Sequence, residues 1–323
     1  MRPSTVPAAP LRAVPGRSCP VDYRYPPTVF RRPPGIVAET LYVIGGLYGN
    51  VEALDTILSM AAQESVQPVL VFNGDFHWFD VDGARFDAVD DAVRRHVALR
   101  GNVETEIARH DAAAGCGCAY PDTVSDEDVA RSNTILDALR ATAQARPAAL
   151  ARLAALPMHA VALVGDTRIG IVHGDAESLA GWRFDPAAME RPDGAAWVAR
   201  VFEDAGVDVF ASSHTCLPGL RAVAREIGPG WVVNNGAAGM ANFAGTSHGL
   251  ITRISLHAPV GTAPLYGAHS GSVRIDALPV AFDAGRWSAA FLRSWPTGSP
   301  AHASYWRRIT EGPAWTIGRA LPD

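Results

Sequence analysis

Five short segments of this chain join the end of an apolar run to glycine and to a polar residue. They are GGLYGN (45–50), NGDFHWFD (73–80), RGNVE (100–104), VHGD (172–175) and SSHTCLP (212–218). Apolar runs of this kind predict strands buried on both faces. Apolar residues at helical spacing in VEALDTILSMAA (51–62) predict a helix between two of the strands. The chain is therefore predicted to be α/β, with its unusual polar residues at the carboxyl ends of strands, where ligands bind.

Further runs extend this pattern toward the C-terminus. HAVALVGDTRIGIVHGD (159–175) predicts two strands around a turn at Gly165–Asp166. The later segments GLITRISLH (249–257) and SVRIDALPVAF (272–282) are strand-like, and terminal helices are expected around residues 286–295 and 304–309. By contrast, proline and arginine dominate residues 1–36. They predict an extended arm there, because proline removes a backbone donor and restricts its neighbours.

Composition excludes several classes of function. The chain has 323 residues and a formal net charge of −5, so it has no basic field to hold nucleic acid or an anionic membrane. All 28 basic residues are arginine, which excludes lysine chemistry such as Schiff-base formation. The four cysteines, Cys19, Cys116, Cys118 and Cys216, are too few for a disulfide framework. No apolar run approaches about 18 residues and no secretory signal is evident, so a soluble cytoplasmic protein is expected.

Four of the strand-end segments carry residues that bind metal ions. Asp75, Asn102, His173 and His214 offer a carboxylate, an amide and two imidazoles. This donor set suits Mn, Fe or Zn and leaves coordination positions open for water or a phosphoryl oxygen. Each residue alone has a structural interpretation, as a turn residue, a helix cap or a core histidine. Their occurrence at four successive strand ends favours the metal site.

The order of these segments resembles that of the calcineurin-like metallophosphoesterases. Gly49–Asn50 matches the end of the family's first motif, Gly74–Asp75 the second, and Gly101–Asn102 with Glu104 the third. His173 matches the fourth motif and His214–Thr215 the fifth, so the resemblance covers roughly residues 40–256. It implies a sandwich of two mixed β-sheets flanked by helices. It also implies a metal centre on the strand-end loops that hydrolyses phosphate esters.

The chain departs from the family's pattern at several ligands. Gly46 stands where the family has a ligand aspartate, Tyr48 where it has a histidine, and Cys216 where it has the last histidine. The resemblance therefore implies that one metal site is complete, with Asp75, Asn102, His173 and His214 as its ligands. The other site keeps only Asp75, with a thiolate ligand from Cys216 as an open alternative to a small buried side chain.

Two interpretations of the centre follow from these departures. In one, the centre holds a single ion. In the other, Cys216 and some of His77, Tyr48 and Asp80 rebuild the second half, and the centre holds two. His77 is the best candidate replacement, because residues 75 and 77 point to the same side of an extended segment. The predicted cofactor is thus one or two divalent ions of Mn, Fe or Zn.

Further residues are candidates for catalysis or substrate binding. Val103 replaces the histidine that the family uses to assist leaving-group protonation, so His77 or His248 is a candidate proton donor. Tyr48, Asn50 and Arg100 are candidates for substrate binding. The Cys116-Gly-Cys118 segment has a metal-clip or redox interpretation, but a single C-x-C pair favours ordinary loop packing.

The sequence therefore predicts a metal-dependent hydrolase of a phosphate ester, either a phosphatase or a phosphodiesterase, acting on a small phosphorylated substrate. Two alternatives stay open. One is a non-hydrolytic metalloenzyme that uses Cys216 as a thiolate ligand, and the other is a non-catalytic descendant that binds a phosphorylated ligand. Residues 37–260 are expected to form the metallophosphoesterase-like domain, and residues 261–323 a strand and helix extension packed on it. The sequence predicts no oligomeric state.

Overall fold

The computed structural model describes residues 14–226 and 228–321. The strands in these ranges are β1 (Ile36–Ala38), β2 (Thr40–Ile44), β3 (Val69–Asn73), β4 (Val97–Leu99), β5 (His159–Val164), β6 (Thr167–Val172), β7 (Val209–Ser212), β8 (Gly219–Val223), β9 (Gly230–Asn234), β10 (Gly249–Ser255), β11 (Tyr266–Ser270) and β12 (Val273–Val280). The helices are α1 (Val51–Gln63), α2 (Gly83–Val93), α3 (Asn102–Ala108), α4 (Asp126–Gln144), α5 (Pro147–Ala155), α6 (Pro186–Glu190), α7 (Pro192–Ala205), α8 (Ala284–Ser294), α9 (Pro300–Glu311) and α10 (Ile317–Ala320).

The strands form two six-stranded sheets, and both sheets are mixed. One has the order β1-β5-β6-β7-β9-β8, and the other has the order β11-β12-β10-β2-β3-β4. In the first sheet β6, β7 and β9 run parallel, and in the second β2, β3 and β4 do. β1 also pairs parallel with β5, and the remaining neighbours in each sheet are antiparallel. The predicted fold class, a sandwich of two mixed sheets flanked by helices, is confirmed.

The main core lies between the sheets. Leu41 and Val43 of β2 are fully buried against residues of the other sheet such as Ile171 of β6. Since side chains alternate along a strand, Tyr42 and Ile44 point to the opposite face of β2, where they belong to the cluster that includes α1. Both faces of this strand are therefore covered, which explains its uninterrupted apolar sequence.

The N-terminal arm differs from the extended prediction where the structure describes it. Residues 1–13 lie outside the described residues. Residues 14–35 form turns and two short 3₁₀ helices, Val21–Tyr23 and Pro27–Arg31, because proline restrains φ to values that such turns use. Tyr23 and Phe30 are 1% and 0% exposed, so these side chains of the segment belong to the core.

The C-terminal region completes the second sheet and covers it. β12 pairs with β10 along its length, from Gly249 opposite Val280 to Ser255 opposite Arg274. Helices α8 and α9 then lie over the aromatic residues that follow β3, with the ring of Phe79 5.2 Å from that of Phe291. We propose that residues 37–260 form the main body of the domain and that residues 261–323 are an extension packed on the same domain.

Several elements were not predicted from the sequence, among them β8, β11 and α7. In the described parts of the chain, no helix is both long enough and apolar enough to cross a membrane.

Candidate metal centre

Four loops meet where the carboxyl ends of strands from both sheets come together. β3 leads into Asp75, β4 into Asn102 and β6 into His173, while β7 ends two residues before His214. Ligand atoms of Asp75, His173 and His214 all lie within 4.8 Å of one another, and all three residues are buried. The structure thus brings together three of the predicted ligands as a group that could hold a metal ion.

The close approach of these loops depends on glycine. Gly74 and Asp75 have φ angles of +78° and +54°, in the left-handed region that favours glycine and tolerates aspartate. A Cβ atom on Gly74 would lie 2.6 Å from the backbone of Gly101 and 2.6 Å from Nδ1 of His173. A larger residue at position 74 would therefore push the three segments apart, and the ligand atoms with them.

Both histidines turn one ring nitrogen outward and the other toward the cluster. His173 Nδ1 lies 2.9 Å from the carbonyl oxygen of Asn73, and His214 Nε2 lies 3.0 Å from that of Cys118. A carbonyl oxygen only accepts hydrogen bonds, so each of these outer nitrogens carries the proton. The neutral rings then present the lone pairs of His173 Nε2 and His214 Nδ1 inward, which is how metal-binding histidines are oriented.

Asn102 is oriented by the same principle. Its Nδ2 group donates to the carbonyl oxygen of Cys116 at 2.9 Å, so Oδ1 must face the other way. That oxygen lies 3.1 Å from Nε2 of His173. Asn102 therefore joins the three clustered residues as a fourth inward-facing acceptor.

The four inward atoms are all acceptors, which is the observation that identifies the centre. His173 Nε2 lies 3.1 Å from His214 Nδ1 and 3.4 Å from Oδ1 of Asp75. Lone pairs this close repel one another unless a cation or a proton lies between them. Two imidazole nitrogens, a carboxylate and an amide oxygen are ligands that Mn, Fe and Zn accept, so the residues fit a divalent ion.

The pKa values of the cluster reflect this crowding. Burial would raise the pKa of Asp75, but the neighbouring His173 outweighs it and holds that pKa below its ordinary value. Burial would likewise lower the pKa of His173, but the Asp75 carboxylate outweighs it and raises the pKa. Burial and the charge of His173 together lower the pKa of His214 to about 3. Of the two histidines, His173 is thus the one whose protonated form is favoured.

Glu104 ties two of the loops together. Its buried carboxylate accepts backbone N–H bonds from Asp75 at 2.8 Å, Phe76 at 3.0 Å, His77 at 3.4 Å and Gly101 at 2.9 Å. The sequence pointed to Glu104 only as a motif match, without a role. The sequence signal that could have revealed this role is the position of Glu104 three residues after the N-cap Gly101. A glutamate there commonly turns its side chain back to the helix N-terminus.

Comparison with known proteins identifies the fold. Neither the models of protein families nor the curated proteins match this sequence. Among solved structures, a metallophosphoesterase from Sphaerobacter thermophilus is 16% identical, with a TM-score of 0.51 over 79% of this chain and 93% of that one. A hypothetical protein from Pyrococcus horikoshii OT3 is 14% identical, with a TM-score of 0.58 over 86% of this chain and 100% of that one. This chain has the metallophosphoesterase fold. The resemblance seen in the sequence is confirmed at the level of the fold.

A tyrosine and a cysteine occupy the other half of the expected metallophosphoesterase centre. The Tyr48 hydroxyl lies 2.6 Å from Sγ of Cys216, at the two positions where the family pattern has histidines. A Cβ atom on Gly46 would lie 2.9 Å from Cζ and 3.0 Å from Oη of Tyr48. The phenol ring therefore fills the space that an aspartate at position 46 would need.

Cys216 is not part of the ligand cluster. Its sulfur contacts Tyr48 and the carbonyl oxygen of His214, the latter at 3.4 Å. Burial raises the pKa of the Cys216 thiol, and burial also raises the pKa of the Tyr48 phenol well above its usual range. Both groups therefore hold their protons when no metal ion is bound.

His77 also lies away from the cluster. Its ring stacks on that of Phe86 with centroids 3.9 Å apart, and its Nδ1 lies 2.8 Å from Oδ2 of Asp80. The expectation that residues 75 and 77 share a side fails because Asp75 adopts a left-handed conformation, so the segment is not extended. The structure therefore brings neither His77 nor Asp80 to the centre.

The remaining predicted site residues have other contacts. Asn50 caps α1, where it accepts the Ala53 N–H and donates to the carbonyl oxygen of Gly239, both at 2.9 Å. Arg100 donates to the carbonyl oxygen of Ala154 at 3.0 Å, at the end of α5. These residues and His248 do not line the cavity at the ligand cluster.

That cavity has a volume of about 180 Å³ and opens over Asp75, Asn102 and His214. Trp78, which follows Asp75 in the second strand-end segment, forms part of the wall, as do Cys118 and Thr215. The other walls include side chains that the sequence analysis did not select, namely Tyr120, Trp182, Tyr305 and Arg308. They come from loops and from α9, far apart in the chain. No local pattern marks them, because only the tertiary fold brings them together.

The Cys116-Gly-Cys118 loop is more than ordinary packing. Cys116 and Cys118 are paired with each other, as the redox interpretation of this segment would have it. Their carbonyl oxygens are the acceptors that orient Asn102 and His214, at 2.9 and 3.0 Å. The loop therefore positions two ligands from outside the cluster.

Proposed function

We propose that this chain is a metal-dependent phosphoesterase, a divergent calcineurin-like metallophosphoesterase that works with one metal ion. The observation that carries the proposal is the convergence of four acceptor atoms, from Asp75, Asn102, His173 and His214, whose donor groups are all directed outward. The Tyr48–Cys216 pair supports a single ion, because it fills the space of the other half-site. A small phosphorylated substrate is the expected partner.

A Mn, Fe or Zn ion held by these residues would supply a Lewis acid that activates water and neutralises charge on phosphoryl oxygens. The chain's own residues set the geometry of that site. The carbonyl oxygens of Asn73 and Cys118 fix the tautomers of the two histidines, and Glu104 holds the loops that carry Asp75 and Asn102. Such preorganised surroundings keep the ligand atoms in place during a reaction.

At position 103 the chain has no side chain that could donate a proton to the leaving group. Val103 lines the cavity beside Asp75, and its backbone N–H lies 3.3 Å from Oδ1 of that residue. An aliphatic side chain donates no proton. We therefore infer that the enzyme acts on esters whose leaving group departs without help from an acid at position 103.

The proposal is tested by metal content and hydrolysis together. Protein purified without chelator or affinity metal should contain about one equivalent of Mn, Fe or Zn by elemental mass spectrometry. It should also hydrolyse p-nitrophenyl phosphate or bis(p-nitrophenyl) phosphate. Asp75→Asn and His214→Ala should lose both properties. His269→Ala is the matched control, because His269 lies on the exposed edge strand β11.

Three results would contradict the proposal in different ways. Absence of bound metal, even after incubation with each ion, would overturn it. A bound ion without hydrolysis of either ester would favour the non-catalytic phospho-ligand-binding alternative. Hydrolysis that persists after the metal is removed would show that the cluster is not the catalytic centre.

A further inference from the structure

We propose that the substrate is a phosphomonoester of a single-ring aromatic alcohol, an aryl phosphate, with Arg308 binding the phosphoryl group and aromatic side chains binding the ring. This inference rests on the proposed function and names its substrate class. It assigns Trp78, Tyr120, Trp182 and Tyr305 to substrate recognition.

Aromatic side chains dominate the walls of the cavity. The rings of Trp78 and Tyr305 meet edge to face with centroids 6.3 Å apart, and those of Tyr120 and Trp182 lie 5.8 Å apart. Trp182 also meets the ring of the candidate ligand His214 at 5.1 Å, so the aromatic wall reaches the ligand cluster itself. Walls of this kind bind a planar ring through offset and edge-to-face contacts.

The size of the cavity limits the substrate. Its volume of about 180 Å³ is close to that of an apolar protein cavity of about 150 Å³ that holds one benzene molecule. It lies well below the roughly 300–1,000 Å³ of sites that enclose drug-sized ligands. The cavity therefore suits one ring next to the phosphoryl group rather than a nucleotide or a folded phosphoprotein segment.

Arg308 supplies a fixed positive charge at the edge of the cavity. Its Nη2 donates to the carbonyl oxygen of Cys216 at 2.8 Å, and its Nε donates to that of Ala241 at 3.2 Å. It is the one arginine among the described residues that line the cavity. Its Nη1 has no hydrogen-bond partner among them, so a donor remains for a phosphoryl oxygen, which guanidinium groups bind well.

The charge balance of the site also calls for this arginine. A phosphomonoester carries close to two negative charges at neutral pH. One divalent ion offsets these, but it leaves the charges of Asp75 and of the neighbouring buried Glu104 carboxylate without compensation. Arg308 provides a further positive charge, on the side of the cavity where Cys216 and Tyr48 have replaced the second half-site.

The chemistry at the leaving group favours an aryl ester as well. Water adds through its oxygen to phosphorus, the bond from phosphorus to the aryl oxygen breaks, and its electron pair stays on that oxygen. The resulting phenolate takes a proton from solvent, which gives a phenol and inorganic phosphate. A phenol has a pKa of about 10, against about 15.7 for water, so it departs more readily without an acid beside it. This suits a cavity wall formed by Val103.

Binding of phosphonates, which cannot be hydrolysed, tests the proposal apart from turnover. Calorimetry on the Mn²⁺-loaded protein would compare phenylphosphonate, cyclohexylphosphonate and methylphosphonate. We expect phenylphosphonate to bind about five- to tenfold more tightly than cyclohexylphosphonate, which has a similar size but no aromatic face. Tyr305→Leu should reduce this preference, whereas Tyr305→Phe should keep it.

Arg308 is tested with the same three ligands. Arg308→Met should weaken all of them by about 10- to 100-fold, because each loses a charge-assisted hydrogen bond. Arg308→Lys should recover part of the affinity. Arg307→Met is the matched control, because that neighbouring side chain is 81% exposed and points away from the cavity lining. Circular dichroism checks that each variant is folded.

The outcomes separate this inference from the proposed function. If the protein binds metal and hydrolyses phosphate esters but phenylphosphonate has no advantage, the aryl assignment is wrong and the proposed function stands. If Arg308→Met and Arg307→Met behave alike, the role of Arg308 is wrong. If the wild-type protein binds neither metal nor any phosphonate, the proposed function itself fails.

Discussion

Replacing Glu104 by alanine should destabilise the protein and weaken its metal centre together. The buried carboxylate accepts N–H groups from both loops that carry the oxygen ligands Asp75 and Asn102. Three of these bonds are 2.8–3.0 Å long and come from Asp75, Phe76 and Gly101, and a longer one comes from His77. Alanine leaves these donors without an acceptor in a buried place. The loops then lose the link that keeps Asp75 beside His173.

The magnitude follows from the three short bonds. A buried donor without a partner costs about 1–3 kcal/mol, and removal of the buried carboxylate recovers part of that cost because its burial was itself unfavourable. The lower end of the range for three bonds gives a loss of about 3 kcal/mol in the free energy of unfolding. With an unfolding entropy of about 2.1 cal/mol/K per residue, this corresponds to a decrease in Tm of about 4–5 °C.

Urea unfolding followed by far-UV circular dichroism measures the first effect, and titration with Mn²⁺ measures the second. We expect metal affinity to fall about 10- to 100-fold, as when residues that orient ligands are removed elsewhere. Glu104→Gln should lose about half as much stability, since its amide oxygen still accepts while its NH₂ group faces two donors. Glu203→Ala on the exposed face of α7 is the control and should stay within about 0.5 kcal/mol. A loss below about 1 kcal/mol in Glu104→Ala would refute the assigned role of the carboxylate.

Two further predictions concern the metal itself. The triple variant Gly46→Asp, Tyr48→His, Cys216→His should raise the metal content from about one equivalent to about two, as measured by elemental mass spectrometry. Gly46→Asp alone should not raise it, because Tyr48 fills the space beside that residue. Metal affinity should fall about tenfold per pH unit below the raised pKa of His173 and level off above it, since a metal ion must displace the single proton held there. Calorimetry in buffers of different ionisation enthalpy would show about one proton released per ion on the acid side of this pKa, and affinity independent of pH would contradict the prediction.

Much of the fold could be predicted because its strands obey a simple pattern. β2 and β3 are short apolar runs that end in glycine and polar residues. Asn50, a candidate for substrate binding, caps α1. The elements missed lie where this pattern is absent. α7 begins at Pro192 directly after α6, and its N-cap residue Arg191 makes no side-chain capping hydrogen bond. β11 is an edge strand in which only Tyr266 is buried.

Only the site residues at strand ends could be predicted from the sequence, because there a polar residue after an apolar run is informative by itself. Asp75 and His173 each follow a strand directly, so their meeting depends on sheet order. Trp182 and Arg308 reach the cavity from a loop and a helix more than 100 residues apart in the chain, and nothing local marks either one. His77 was misplaced because the left-handed turn at Asp75 reverses the direction that an extended strand would impose.

The two halves of the centre show why one ion is the consistent interpretation. Asp75, Asn102, His173 and His214 turn their lone pairs toward one another, an arrangement that is unfavourable unless a cation or a proton joins them. Tyr48 and Cys216 do the opposite, because each satisfies the other's polar atom at 2.6 Å and needs no cation between them. If the chain had simply lost its metal sites, the polar atoms of both half-sites would be expected to pair with each other in this way. Only one half is satisfied, which supports the proposed cation site in the other half.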